Sequence, residues 1–151
     1  MAALDGLGYG VELLVDESVC AGVDFEQSLG AWLERVLPTF EEAGASAGTL
    51  TVRLTDDEEI TRLNSSYRGK NGPTDVLSFE GEETVEGRHL GDIVISLPTA
   101  RRQGQEEGHD LQTEVQLLAL HGILHCLGYD HESDDGEMVA LELRLREELL
   151  P

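Results

Sequence analysis

The segment HGILHCLGYDH, from His121 to His131, constrains the fold of this chain more than any other. Side chains four positions apart on a helix lie on the same face, so His121 and His125 can present two ring nitrogens to one ion. A third ligand has to come from chain that has left the helix. Gly128 can end the helix because glycine readily adopts a left-handed conformation, and the following turn can return His131 toward the pair. The spacing therefore predicts a helix, a sharp turn and three converging imidazoles.

Three histidine ligands leave the fourth position of a tetrahedral zinc open, which is typical of a catalytic centre rather than a closed structural one. We therefore expect one Zn2+ per chain, bound by His121, His125 and His131. The offsets match the metzincin pattern HExxHxxGxxH, but Gly122 replaces the glutamate that serves there as general base. Cys126 points about 100° away from His125 around the helix, so we interpret it as a small buried apolar side chain.

The remaining pattern predicts a single α+β domain over residues 1–151. Strands are expected over 10–15 and 49–55, followed by a hairpin-like pair formed by DVLSFE and DIVISL. Helix signals lie between these segments and after them. The predicted helices run from an Asp24 cap to Gly44, from Thr55 or Asp56 to about Tyr67, from about Pro98 through ARRQGQEEG, from Asp110 or Thr113 to Gly128, and from Ser133 or Asp134 through LELRLREELL.

Membrane and export signals are not expected in this chain. No apolar run approaches the roughly 20 residues that a membrane span needs, and MAALDGLGYGVELL has no basic residue ahead of its apolar part. The two cysteines, Cys20 and Cys126, form no CxxC pair and suggest no disulfide framework. We expect a cytoplasmic protein with no membrane partner.

Three stretches together resemble a known family. HGILHCLGYDH is similar to the signature of the YbeY family, bacterial zinc-dependent endoribonucleases that act in ribosomal RNA maturation. RLNSSYRGKNGPTDVLSFE, followed by HLGDIVIS, resembles the family's other characteristic region, in the same order. The resemblance covers roughly residues 61–135, about half of the chain. The sequence departs from it at Cys126, where the family often has an apolar residue, and at Asp75, where some relatives carry Asn.

The resemblance implies both a fold and an activity. It implies a small mixed sheet flanked by helices, zinc bound by the three histidines, and an Arg68 that lies in the active cleft and is needed for activity. The implied function is single-strand-specific RNA cleavage in the maturation of the 3′ end of small-subunit ribosomal RNA and in ribosome quality control. The expected partners are single-stranded or ribosomal RNA and ribosome-associated proteins, with no DNA.

Phosphodiester chemistry suggests roles for five further side chains. Arg68 has a planar, permanently charged group suited to phosphate oxygens, and Lys70 adds a point charge for a neighbouring phosphate. Tyr67 could stack on a base or pack under its loop. Asp130 and Asp92 could orient a ligand histidine through its second ring nitrogen, or could serve only as a turn residue and a strand-entry residue.

Charge sets a condition on RNA binding. With 10 basic and 31 acidic residues, the net charge of −21 excludes a protein that coats nucleic acid through bulk electrostatics. Three of the ten basic residues lie within 62–70, and Asp75 is the only acidic residue between Thr61 and Phe79. This segment predicts a cationic wall beside the zinc, with weak and salt-sensitive binding of one RNA strand.

Two other functions stay open. A metallopeptidase with metzincin-like spacing fits the histidines but is weakened by Gly122, which can accept no proton. A non-catalytic ribosome assembly factor with a structural zinc is weakened by the open fourth ligand position. Zinc-activated water makes the missing glutamate tolerable for a nuclease. The other two histidines, His89 and His109, stand on polar stretches and are expected in solvent.

Overall fold

The computed structural model describes residues 8–16, 19, 25–85, 87–130 and 132–150, so Asp24 and His131 lie outside the described residues. The described residues form a series of strands and helices along the chain. They are β1 (Gly10–Val15), α1 (Glu26–Val36), a 3₁₀ helix (Leu37–Ala43), β2 (Thr49–Thr55), α2 (Asp57–Arg68), β3 (Val76–Glu80), β4 (Glu83–Thr84), β5 (Gly87–Ser96), α3 (Leu97–Glu107), α4 (Leu111–Cys126) and α5 (Glu137–Leu149). Among the described helices, none combines the length and the apolar character that crossing a membrane requires.

The strands form a mixed sheet in the order β1-β2-β5-β3, with β4 paired to β5 at one side. β2 pairs in parallel with both β1 and β5, whereas β3 and β4 are antiparallel to β5. The α+β class and the small mixed sheet flanked by helices are confirmed. The antiparallel pairing of β3 with β5 also confirms the predicted hairpin-like pair.

Strand β5 contributes to both faces of the sheet because neighbouring side chains in a strand point to opposite sides. Ile93 and Ile95 belong to the main core, to which α1, α4 and α5 also contribute. Val94 instead joins a smaller cluster with Leu77 and Ile60, which lies on α2. The sheet therefore lies between α4 and α2, and the two helices that carry the predicted site residues pack on it from opposite sides.

Helix α2 is fixed at its start by the carboxylate of Asp57. This group accepts hydrogen bonds from Ser96 Oγ at 2.6 Å, Thr99 Oγ1 at 2.6 Å and Arg102 Nη2 at 3.0 Å. Burial raises the pKa of Asp57, but these bonds outweigh it and lower the pKa below the ordinary 3.8. The ionised carboxylate thus ties α2 to β5 and α3, and so holds the helix that ends in Arg68.

Two helices differ from the sequence prediction at their ends. The first was expected to continue to Gly44, but α1 ends at Val36 and the chain continues as a 3₁₀ helix with Pro38 in its first turn. Proline has no N–H to donate to an α-helical carbonyl, which explains the change. The last helix begins at Glu137, and Asp134 caps it from outside by accepting bonds from the backbone N–H groups of Gly136 and Met138.

Candidate active site

Two histidines converge at the end of α4. The Nε2 atoms of His121 and His125 are 3.1 Å apart, and their rings are nearly perpendicular, at 78°. Two nitrogens bound at about 2.0–2.1 Å to one tetrahedral zinc would be about 3.3 Å apart, so the pair is placed as two ligands of one ion would be. His131 lies outside the described residues, and within these no group of three His, Cys, Asp or Glu side chains forms a metal site. The third ligand therefore stays a prediction.

The second ring nitrogen of each histidine faces an acceptor. His121 Nδ1 donates to Glu142 Oε1 at 2.8 Å, and His125 Nδ1 donates to the carbonyl oxygen of Tyr129 at 2.9 Å. With the hydrogen on Nδ1, each Nε2 lone pair is left for a metal. The pKa of His121 is raised, first by the hydrogen bond to Glu142, while burial lowers it and the charges of Glu142 and Asp75 add to the increase.

Sequence reasoning missed Glu142. Its partner lies 21 positions earlier in the chain, so no local spacing connects the two. A signal did exist, because Met138 and Leu145 are buried on α5 and Glu142 falls between them on the same side of the helix. A glutamate beside a buried stripe, with a side chain 19% exposed, requires a polar partner.

Gly128 forms the turn that was predicted for it. Its φ is +98°, and its N–H donates to the carbonyl oxygen of His125 at 3.0 Å. A side chain at this φ would be strained, and the left-handed conformation lets the chain leave the helix at once. Asp130 then stabilises the turn by accepting a hydrogen bond from Glu132 N at 3.0 Å.

A cavity of about 1000 Å³ opens beside the histidine pair. Of the predicted residues, Tyr67, Arg68 and Asp130 line it together with His121 and His125, whereas Lys70 and Asp92 do not. The rest of its wall comes from the segment leading into β3, from β3 itself and from the turn after α4. These residues are Thr74, Asp75, Val76, Leu77, Ser78, Phe79, Glu80, Gly128, Tyr129, Glu132 and Ser133.

The predicted cationic wall is wrong. Arg68 is the only basic side chain of the described residues that lines this cavity, against four carboxylates. Arg62 is six positions from Arg68, or about 240° around α2, and it forms an ion pair with Glu59. The carboxylates lining the cavity are Asp75, Glu80, Asp130 and Glu132.

The structure also shows the surroundings of Asp92, His89 and His109, three further residues considered in the sequence. Asp92 Oδ2 lies 3.2 Å from His89 Nε2, so Asp92 is found beside a histidine outside the cavity. His89 Nδ1 also lies 2.8 Å from Thr49 Oγ1, and His109 Nε2 lies 2.5 Å from Glu114 Oε1. The expectation that both histidines are simply solvated is wrong, because neighbouring elements supply each with a polar partner.

Cys126 is buried, as expected. Only 7% of the residue is exposed, and its Sγ lies 3.6 Å from the carbonyl oxygen of Phe79. Burial first, and then the charges of Asp92 and Glu80, raise the pKa of the Cys126 thiol to about 12. A thiol with this pKa stays protonated near neutral pH and is unsuited to be a nucleophile or a metal ligand.

Gly122 lies where α4 packs closely against β3 and β5. A Cβ at this position would lie 2.9 Å from Ser78 Oγ and 3.0 Å from a methyl carbon of Ile93. These distances are shorter than van der Waals contact, so no side chain fits unless the side chains of Ser78 and Ile93 move. The position that holds the glutamate base in metzincins is therefore packed against the sheet.

Gly122→Ala is expected to lower the free energy of unfolding by about 1–3 kcal/mol, because overpacking forces side chains or backbone apart. Denaturant unfolding of the two proteins measures the difference. Gly30→Ala is the matched control, since nothing lies within 4 Å of a Cβ at that helical position. That control is expected to be neutral or slightly stabilising, by up to about 1 kcal/mol. Equal stability of Gly122→Ala and the parent would contradict the close packing.

The fold and the site together define a class of protein: a small mixed sheet with a histidine pair on one long helix, opening into a broad cleft that contains one arginine. Comparison with known proteins agrees with the resemblance noted in the sequence. The family model described as Endoribonuclease YbeY matches residues 18–149. The chain belongs to the Endoribonuclease YbeY family.

Relatives support this assignment over nearly the whole chain. The Endoribonuclease YbeY of Gloeobacter violaceus is 45% identical over 144 residues, covering 89% of this chain and 73% of the relative. That of Synechococcus sp. (strain CC9605) is 45% identical over 150 residues, covering 91% and 86%. The solution structure of TM1509 from Thermotoga maritima is 27% identical with a TM-score of 0.61, covering 92% of this chain and 88% of that one.

Proposed function

We propose that this protein is a zinc-dependent endoribonuclease that cleaves single-stranded RNA in the cytoplasm during maturation of ribosomal RNA. The observation that carries the proposal is the pair of Nε2 atoms, 3.1 Å apart, opening into the same cavity as Arg68. Membership of a family named for endoribonuclease activity supports the choice of RNA as substrate. Ribosome-associated proteins are proposed as further partners.

The donors present fit zinc. Imidazole nitrogens suit this metal, and the two described ones have their other nitrogen fixed by Glu142 and by the carbonyl oxygen of Tyr129. His131, three residues after Gly128, is proposed as the third ligand. When bound, zinc supplies a water whose pKa is lowered from about 15.7 toward about 7, so a separate strong base is not required.

Arg68 is proposed to bind the scissile phosphate. It lines the cavity with both histidines, and no carboxylate of the described residues forms an ion pair with it. Its five N–H donors are therefore available for two phosphate oxygens at once, which stabilises the charge that develops as the bond to the leaving oxygen breaks.

Tyr67 is proposed to stack on a base of the RNA. The residue is 69% exposed, and its ring meets that of Phe79 edge to face, with centroids 5.2 Å apart. Both side chains line the cavity, so Phe79 holds Tyr67 in place while one ring face stays available. Base–aromatic stacking is tolerant of sequence, and it adds affinity without positive charge in a cleft with four carboxylates.

The proposal is tested by giving zinc-loaded protein a labelled single-stranded RNA and, separately, casein. Cleavage of RNA that stops on chelation and returns with zinc is the expected result, with casein left intact. Cleavage of casein but not RNA would favour the metallopeptidase. That alternative has no support from position 122, where packing against Ser78 and Ile93 leaves no room for a glutamate.

Glu142→Ala is expected to weaken zinc binding by about 10- to 100-fold, because the carboxylate that orients His121 is lost. Glu142→Gln keeps an oxygen acceptor without the charge, so its affinity should fall between the two. Zinc affinity is measured by competition with a chelator, independently of any cleavage assay. Glu148→Gln, an exposed change on the same helix, is the control and should bind as the parent does. Parent-like affinity of Glu142→Ala would remove the residue from the site.

A further inference from the structure

A second cavity, of about 330 Å³, adjoins the main one, and His121 lines both. It is bounded by α3, α4 and α5, and it shares His121 and Asp75 with the main cavity. Its wall includes Leu117, the amide of Gln103 and the guanidinium of Arg146. Ligand pockets begin at about 300 Å³, so this cavity suits one small group rather than a long segment.

Arg146 is available to a ligand in this cavity. Within the described part of the chain, five of the ten basic residues form ion pairs, and neither Arg146 nor Arg68 is one of them. Arg68 lines the first cavity and Arg146 the second. In a chain with 31 acidic residues, each of the two cavities that share His121 is therefore lined by an arginine that has no carboxylate partner among the described residues. The paired residues are Arg53, Arg62, Arg88, Arg102 and Arg144.

Among the described residues, none of the acidic groups that line the second cavity forms an ion pair with Arg146. Glu114 lies 2.5 Å from His109, and Glu142 accepts from His121 at 2.8 Å. Asp75 accepts from the backbone N–H of Val76 at 2.8 Å. Each of these carboxylates is held by a neighbour of its own, and the fourth in the lining, that of Glu107, forms no ion pair with a described residue.

We propose that the second cavity is a nucleotide subsite, in which Arg146 binds an RNA phosphate next to the scissile one. This inference rests on the proposed function. An endonuclease cleaves within a strand, so the RNA continues on both sides of the scissile phosphate, and the second cavity adjoins the main one through the shared lining residues His121 and Asp75. Leu117 offers an apolar surface for the base, and the Gln103 amide can donate to or accept from its edge. The subsite thus takes a flanking nucleotide and sets how far the substrate must extend.

The test uses single-turnover cleavage of three labelled single-stranded RNAs that share one cleavage site: a minimal RNA, one extended on its 5′ side and one extended on its 3′ side. Arg146→Ala should raise the RNA concentration for half-maximal rate about tenfold for one of the extended RNAs only, because one charged hydrogen-bonding partner is lost. The minimal RNA should be cleaved as by the parent. Arg144→Ala is the matched control on the same helix, since Arg144 pairs with Glu42 at 2.5 Å and lines neither cavity.

The possible outcomes separate this inference from the proposed function. Parent-like behaviour of Arg146→Ala on every RNA, or an equal loss on both extended RNAs, overturns the subsite while RNA cleavage by the parent upholds the proposed function. A similar effect of Arg144→Ala would assign the change to the net charge of α5 and would also overturn the subsite. If the parent cleaves none of the RNAs, the result contradicts both the proposed function and the subsite.

Discussion

Arg68→Ala is expected to cleave single-stranded RNA about 100-fold or more slowly than the parent, with unchanged zinc content and fold. Arg68 lines the cavity with His121 and His125 and is the only basic side chain there among the described residues. No other basic side chain of the described residues lines the cavity and could take over its paired hydrogen bonds to the phosphate. The residue is exposed at the end of α2, so its removal costs little packing.

The rate is measured under single-turnover conditions on a labelled RNA. Arg68→Lys keeps the charge but not the paired hydrogen bonds, so it should also lose much of the activity. Arg62→Ala is the matched control, since Arg62 lies on the same helix, pairs with Glu59 and is absent from the cavity. A His121→Ala preparation made in parallel excludes contaminating nucleases. Cleavage by Arg68→Ala at the parent's rate would remove this arginine from the mechanism.

The strands could be predicted closely because their signals are local. The alternating segments 10–15 and 49–55 are the strands of the structure to the residue, and Asp56 and Asp110, two of the predicted caps, cap α2 and α4. The 3₁₀ helix after α1 was missed because a proline in the first turn of a new helix leaves the amphipathic pattern unchanged. Sheet order was not accessible from the residues alone, since it depends on packing between distant segments.

The residues of the site also divide into those that local spacing predicts and those that depend on packing between distant helices. His121 and His125 could be placed together from their spacing, because four positions is one turn of a helix. The partners that make the pair usable, Glu142 and the second cavity with Arg146, depend on how α5 packs against α4. The cationic wall failed for a related reason, since closeness in sequence does not place two side chains on one helical face. The role of His131 is a prediction that the described residues do not test.

The parent is expected to hold about one zinc ion per chain. His125→Ala is expected to lose nearly all of it. The Nε2 of His125 lies 3.1 Å from that of His121, so removing it leaves at most two of the three proposed ligands and no favourable tetrahedral site. Elemental analysis of the purified proteins measures the difference. His89→Ala is the matched control, because His89 contacts Thr49 and Asp92 outside the cavity and its loss should leave the zinc content unchanged.

Removing the zinc from the parent then separates a catalytic ion from a structural one. The core includes Leu29, Phe40 and Ile93, which are fully buried without any contribution from a metal. Chelation should therefore leave the far-ultraviolet circular dichroism nearly unchanged and lower stability only modestly, in contrast to small domains that fold only when metal binds. Global unfolding on chelation would favour the non-catalytic assembly factor, and a His125→Ala protein with as much zinc as the parent would place the ion elsewhere. Loss of zinc with the fold retained is the result expected of a catalytic ion bound by the histidines that line the cavity.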